Sequence, residues 1–213
     1  MILMRTFKFS SPPASPSKSR DEMRSRKFQF ASTLADLALE EGIATLGLRA
    51  MATKIGTSDR MLIYYFGTRE QLIVDVLEQV STRLSALLLR IDDGSRSSPG
   101  QFLIRVLAMV HDPEIAPFVK LWTEVIARSA RGEAPYDRIG PGAVKSWTDW
   151  IDSKLAPSPG HTDSGRAAAL LSIVEGAVLL EMAAPGSTEN VASFLSKALD
   201  TISSGSDSVI GSG

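Results

Sequence analysis

Residues 48–72, LRAMATKIGTSDRMLIYYFGTREQL, leave this chain few ways to fold, because two apolar helical faces are packed into a stretch too short for either helix to stand alone. Leu48, Met51, Ala52 and Ile55 recur at i, i+3, i+4 and i+7, the spacing of one buried face, with Arg49, Thr53 and Lys54 outside it. Gly56 sits where the chain must turn, a position suited to a residue free to take positive φ. Ser58 can then cap a second helix whose buried face is Leu62, Tyr65 and Phe66, while Asp59, Arg60, Ile63 and Tyr64 point elsewhere. After Gly67, Thr68-Arg69-Glu70-Gln71 reads as a Thr-x-x-Gln capping box opening another helix. This is the pattern of a helix-turn-helix, and helix N-termini of this kind offer unpaired backbone N–H groups to phosphate.

Almost everything after it reads as helix, with no alternating strand pattern longer than a few residues. The capped helix continues through Leu72, Val76, Leu77, Val80, Leu84 and Leu87 to Asp92-Asp93-Gly94. Further helices are expected over residues 100–110, over 112–131 with Pro113 at the first helical position, and over 143–155. Pro135, Gly140, Pro141 and Gly142 predict an irregular approach to the last of these. Beyond the Pro-Ser-Pro-Gly break at 157–160, two more helices are expected over 163–184 and 187–203. The reading is all-α: a disordered basic, Ser/Pro-rich arm (1–24), a three-helix helix-turn-helix DNA-binding domain (25–70), a larger C-terminal helical domain (71–204), and a flexible Gly/Ser-rich tail (205–213).

Charge follows the same division. Residues 1–70 hold 11 Lys and Arg against 7 Asp and Glu, and residues 71–213 hold 12 against 17, so the positive end is the helix-turn-helix end. The chain has no Cys, which excludes disulfides and thiolate metal sites, and with only His111 and His161 no metal site is expected. The opening MILMRTFKFS is too short an apolar run for a secretory signal. Residues 167–184 are long and apolar but contain Glu175 and Glu181, and an acidic residue at bilayer depth costs about 2.5–3.5 kcal/mol. A buried helix of a soluble, cytoplasmic protein is the expectation, with no membrane partner. His111-Asp112 with Glu114, or Glu124 with Glu175, are the best raw material for catalysis, yet no nucleophile, phosphate loop or metal spacing accompanies them, so no enzyme is expected.

Residues 28–80 resemble the DNA-binding domain of TetR-type (TetR/AcrR) bacterial transcriptional regulators. The matching features are Gly42, Leu48-Arg49-x-Met51-Ala52, Gly56-x-Ser58, Leu62-x-x-x-Phe66 and Gly67-x-Arg69-Glu70-x-Leu72. The resemblance covers about a quarter of the chain and is specific as a set. It implies that the second and third helices form the helix-turn-helix, that the third enters the major groove, and that the fourth begins at a phosphate-binding turn. Several positions depart from the family pattern. Thr57 stands where an apolar residue is usual, Ile63 replaces the usual phosphate-contacting Tyr, Tyr65 replaces the His, and Gly47 replaces the Ser or Thr that opens the second helix.

From these residues, Ser58 and Arg60 are the expected readers of base edges or nearby phosphate, with Arg49, Lys54, Tyr64, Thr68 and Arg69 mostly on phosphate and Thr57 and Asp59 on the same surface. The other reading of Arg60 is a solvated cation paired with Asp59 or Asp36. Arg20, Arg24, Arg26 and Lys27 form either a solvated arm or one that tracks DNA.

The helix over 163–184 is apolar nearly all round. Leu170, Val174, Ala177 and Val178, with Val191, Phe194 and Leu195 of the last helix, are the expected homodimer interface. Phe102, Met109, Phe118, Trp122, Trp147 and Trp150, with Glu124 and Glu175 as polar anchors, are either core filler or the wall of a pocket for an apolar or amphipathic effector; the resemblance implies such a pocket, and no cofactor is expected. The functional expectation is a dimeric repressor of a pseudo-palindromic double-stranded operator, released by a small molecule. The alternative is a helical protein–protein adaptor without specific DNA binding.

Overall fold

Small and branched side chains at helical spacing put a smooth face on α1 (Lys18–Glu41), and Ala31, Leu34, Ala35 and Ala38 are all buried there. The face packs against α4 (Arg69–Ile91), which buries Leu72, Ile73, Val76 and Val80. Between them lie α2 (Leu48–Lys54) and α3 (Asp59–Phe66), which pack on each other through Met51, Ala52, Leu62 and Phe66. The computed structural model describes residues 18–43, 47–157 and 164–204; the expected tail and residues 1–17 of the expected arm lie outside them. Among the described residues the chain is all-α, with a single parallel bridge between Ser97 and Leu155 and no strand.

Contacts divide the described residues into two units. One holds everything through Ile91 together with Lys120–Gly142; the other holds Asp92–Val119 and the residues from Ala143 onward. The division therefore falls at the end of α4, not at residue 70, and the first unit gains a later stretch of chain. That stretch comes from α6 (Ala116–Ala130) and α7 (Tyr136–Lys154), and within the first unit it buries Leu121, Val125 and Tyr136. In the second unit α5 (Pro99–Met109) packs against α8 (Ser164–Ala183) and α9 (Val191–Ser204). Phe102, Leu103, Val106 and Leu107 meet Leu170, Val174, Ala177 and Val178 in that core.

Three boundaries differ from the sequence reading, each for a local reason. The first helix starts at Lys18, so residues 18–24 are helical rather than part of an arm; the last proline of the Ser/Pro-rich stretch is Pro16, and Asp21 favours the first turn. The sixth starts at Ala116 instead of 112. Asp112 turns the chain by accepting hydrogen bonds from Glu114 N on its side chain (2.8 Å) and from Ile115 N on its carbonyl (2.9 Å). The later start places Pro117 in the first turn, where no N–H is required. The seventh starts at Tyr136 and runs through Gly140-Pro141-Gly142. Gly140 is buried against α6, where a Cβ would fall 2.1 Å from Ser129 Oγ, so this glycine serves close packing rather than a break.

Candidate nucleic-acid interface

The turn between α2 and α3 is closed by backbone bonds from Gly56 N to Thr53 O (3.2 Å) and from Thr57 N to Ala52 O (2.9 Å), with Gly56 at φ +68°. Gly47 precedes α2 in extended backbone and supplies no side-chain cap. Ser58 does cap α3, its Oγ accepting from Met61 N at 3.2 Å, and Asp59 turns a carboxylate oxygen back to Arg60 N at 2.9 Å. Leu62 and Phe66 anchor the inner side of α3. Tyr65 packs edge-on against Phe30 of α1 with ring centroids 5.4 Å apart, and Tyr64 stands edge-on to Tyr65 at 5.2 Å. An aromatic ladder thus steps outward from α1 to the exposed face.

That face carries Asp59, Arg60, Ile63, Tyr64 and Gly67, all exposed. Asp36, one of the two carboxylates within the sequence reading of Arg60, is engaged by Arg83 at 2.6 Å, and Arg83 also donates to Ser32. Among the described residues the side chains of Arg60 and Arg49 make no ion pair, so both cations stay available. Lys54 instead pairs with Glu41 of α1. The half-buried Arg69 lies near enough to the Tyr136 phenol to act on it electrostatically. Of the basic residues at the start of α1, Lys27 is held by Asp75 at 2.5 Å and lies 5.2 Å over the Phe66 ring. Arg26 lies 5.2 Å over Phe30.

At the start of α4 the expected capping box is half formed. Thr68 Oγ1 accepts from Gln71 N at 3.0 Å, but the Gln71 amide donates forward to Asp75 at 2.7 Å instead of turning back. Asp75 lies one turn further along, and its carboxylate draws the Gln71 Nε2 donor forward, away from the start of the helix where the Gln71 oxygen would accept from the Thr68 N–H.

Glu124, read from sequence as a polar anchor of an effector pocket, has a different set of neighbours. Its Oε2 accepts from Ile43 N at 3.0 Å, just past α1, and its Oε1 lies 3.4 Å from Arg128 Nε. Arg128 in turn binds Glu133 at 2.7 Å and stacks 5.2 Å over the ring of Tyr136, whose phenol is raised by burial. Nothing local to Glu124 signals Ile43 as its partner.

The other expected wall residues fall in both units, with Trp122 and Glu124 in the first and the rest in the second. Phe102 is buried against Trp150 at 5.9 Å, Trp150 meets Trp147 at 5.5 Å, and Met109 packs on the same core. Phe118 and Glu175 are half-buried. An open groove of about 310 Å³ in the second unit is lined by Ser95, Arg96, Ser97, Gln101, Ile104 and Arg105, none of which the sequence singled out.

Of the residues expected at a subunit interface, Leu170, Val174, Ala177 and Val178 are buried in the core that α8 forms with α5. Val191 and Leu195 pack partly against the same core. Phe194 does lie open at 79% exposure, and Leu179, Leu180 and Met182 of α8 are exposed with it. The reason is that α8 is apolar on every side, so its sequence did not say which stripe α5 would take. No helix among the described residues is long and apolar enough to cross a membrane.

Two crystal structures share this architecture. A protein described as a TetR-family transcriptional regulator from Rhodococcus sp. superimposes with a TM-score of 0.62 at 23% identity, over 86% of this chain and 100% of that one. A transcriptional regulator from Rhodococcus sp. Rha1 gives 0.62 at 21% identity, over 82% of this chain and 91% of that one. No family model matches the sequence, and no curated protein does. At these identities the likeness establishes the fold.

Proposed function

We propose that this chain, which has the fold of those regulators, is a ligand-responsive, sequence-specific DNA-binding transcriptional regulator that represses from a pseudo-palindromic operator as a dimer. The observation that carries the reading is the outward face of α3. A helix of 8 residues, too short to persist alone, is braced from behind by Leu62, Phe66 and the Tyr65–Phe30 contact, and it presents Arg60 with no ion-pair partner among the described residues. Ser58 caps the start of α3 and Thr68 the start of α4, and the positive ends of these two helices would hold phosphates.

Dimerisation supplies the second recognition helix. The exposed Leu179, Leu180 and Phe194 support a subunit interface on α8 and α9, with water excluded by a second copy of the same apolar surface. An apolar or amphipathic effector that changes the separation of the two recognition helices would release the operator, and the aromatic side chains of Trp147 and Trp150 in the second unit are the candidates to bind it.

Exposed Ile63 and Tyr64 would also suit a protein partner, which keeps the adaptor reading as the one to test against. Titration of the purified chain onto a pooled duplex library, between about 50 and about 200 mM salt, separates the two. A regulator loses affinity steeply with salt as counterions return to the phosphates. Absence of duplex binding at the lowest salt would favour the adaptor.

A further inference from the structure

Ile63 is 38% exposed on the outward side of α3, three residues after Arg60 and next to Tyr64, so part of an aliphatic side chain stands in water there. A branched aliphatic side chain there cannot donate to phosphate, and its exposure to water is unfavourable unless something apolar meets it. The major-groove edges of the bases offer one apolar feature, the C5-methyl group of thymine. The neighbouring exposed side chains, Ser58, Asp59 and Arg60 along one turn, are polar or charged, which suits a base edge better than an extended apolar partner. Tyr64, the next residue along, stands edge-on to Tyr65 and is itself exposed.

Resting on the DNA-binding reading, we infer that Ile63 is a specificity-determining residue that reads a thymine methyl in each operator half-site, beside a guanine read by Arg60. The spacing can be stated. Side chains at i and i+3 on a helix are about 5–6 Å apart at Cβ, and base pairs rise about 3.4 Å per step. The thymine therefore lies one or two base steps from the guanine.

Deoxyuridine lacks the methyl but keeps the pairing edge, so replacing each thymine of a selected operator in turn tests the inference on the full chain. Wild type should bind about sixteen-fold more weakly when one thymine in each of the two half-sites is replaced, about four-fold for each buried methyl-sized group. Ile63→Ser should bind the thymine operator about as weakly as wild type binds the uracil one and be indifferent to the exchange, while Ile63→Val should keep the preference. Uracil tolerated at every position by wild type would overturn the inference while leaving DNA binding intact, as would equal discrimination by Ile63→Ser. Failure to select any operator would instead overturn the DNA-binding reading, and this inference with it.

Discussion

The Glu124 carboxylate accepts a hydrogen bond from the Ile43 backbone N–H at 3.0 Å, tying the second half of α6 to the turn that leads from α1 toward the helix-turn-helix. Gly42, immediately before, sits at φ +82°, and a Cβ on it would lie 2.8 Å from the same carboxylate oxygen. Hydrogen bonds to charged groups contribute about 1.5–3 kcal/mol. Glu124→Ala should therefore lower stability by about that amount and remove hydrogen-exchange protection from the Ile43 amide. Unchanged exchange at Ile43 would show that the carboxylate does not hold the turn.

Gly42→Ala combines a left-handed backbone with that close approach. It should cost about 1–2 kcal/mol for the conformation alone, and more in wild type than in a Glu124→Ala background, where the approaching oxygen is gone. A double-mutant cycle by urea denaturation reads the difference, and strict additivity would contradict it.

Arg60 and Arg69 should separate in DNA binding. Arg60→Ala removes an exposed cation on the reading face and should cost about 1–3 kcal/mol on the operator with little effect on random duplex. Arg69 is half-buried beside Tyr136 near the start of α4, so Arg69→Ala should weaken operator and random DNA alike. Parallel titrations on both duplexes test this, and equal losses on both for both variants would sink the division of roles.

The open and the buried faces of α8 and α9 should respond in opposite ways. Phe194→Asp or Leu180→Asp should yield a folded monomer by light scattering, since both side chains lie on the exposed surface. Leu170→Ala should leave association intact but reduce stability by about 2–5 kcal/mol, because Leu170 is 1% exposed inside the second unit. A Phe194→Asp protein with unchanged mass would place any interface elsewhere.

Acid should expose one local ion pair. Asp92, where the second unit begins, is held below the usual carboxylate range chiefly by its hydrogen bond from Lys154 at the end of α7 in the same unit. A carboxylate depressed in the folded state stabilises above its unfolded value, and that contribution fades as pH falls through the folded one. Asp92→Asn should thus be destabilised at neutral pH by no more than about 1 kcal/mol, given partial solvent screening, and should converge with wild type in strong acid. A difference independent of pH would mean the pair contributes nothing through charge.

What could be read from the sequence was what neighbours in the chain determine. Ser58 and Thr68 are caps because an oxygen three residues ahead of an N–H is a local event, and the Leu62/Phe66 anchor follows from spacing alone. The close packing that Gly140 permits is against Ser129 of α6, and the partner of Glu124 lies 81 residues away, so neither is written nearby. The faces of α8 were illegible for another reason: a helix apolar all round does not say which stripe its own chain will bury. Gln71 shows the limit of a motif, since its Nε2 donates forward to Asp75 and the side chain does not turn back as the capping box required.

Selection of purified full-length protein against random duplexes at moderate salt tests the central claim most directly. The account predicts enrichment of an inverted repeat whose half-sites contain a guanine that Arg60→Ala no longer distinguishes. A pool that stays random, with duplex binding also absent at low salt, would contradict it.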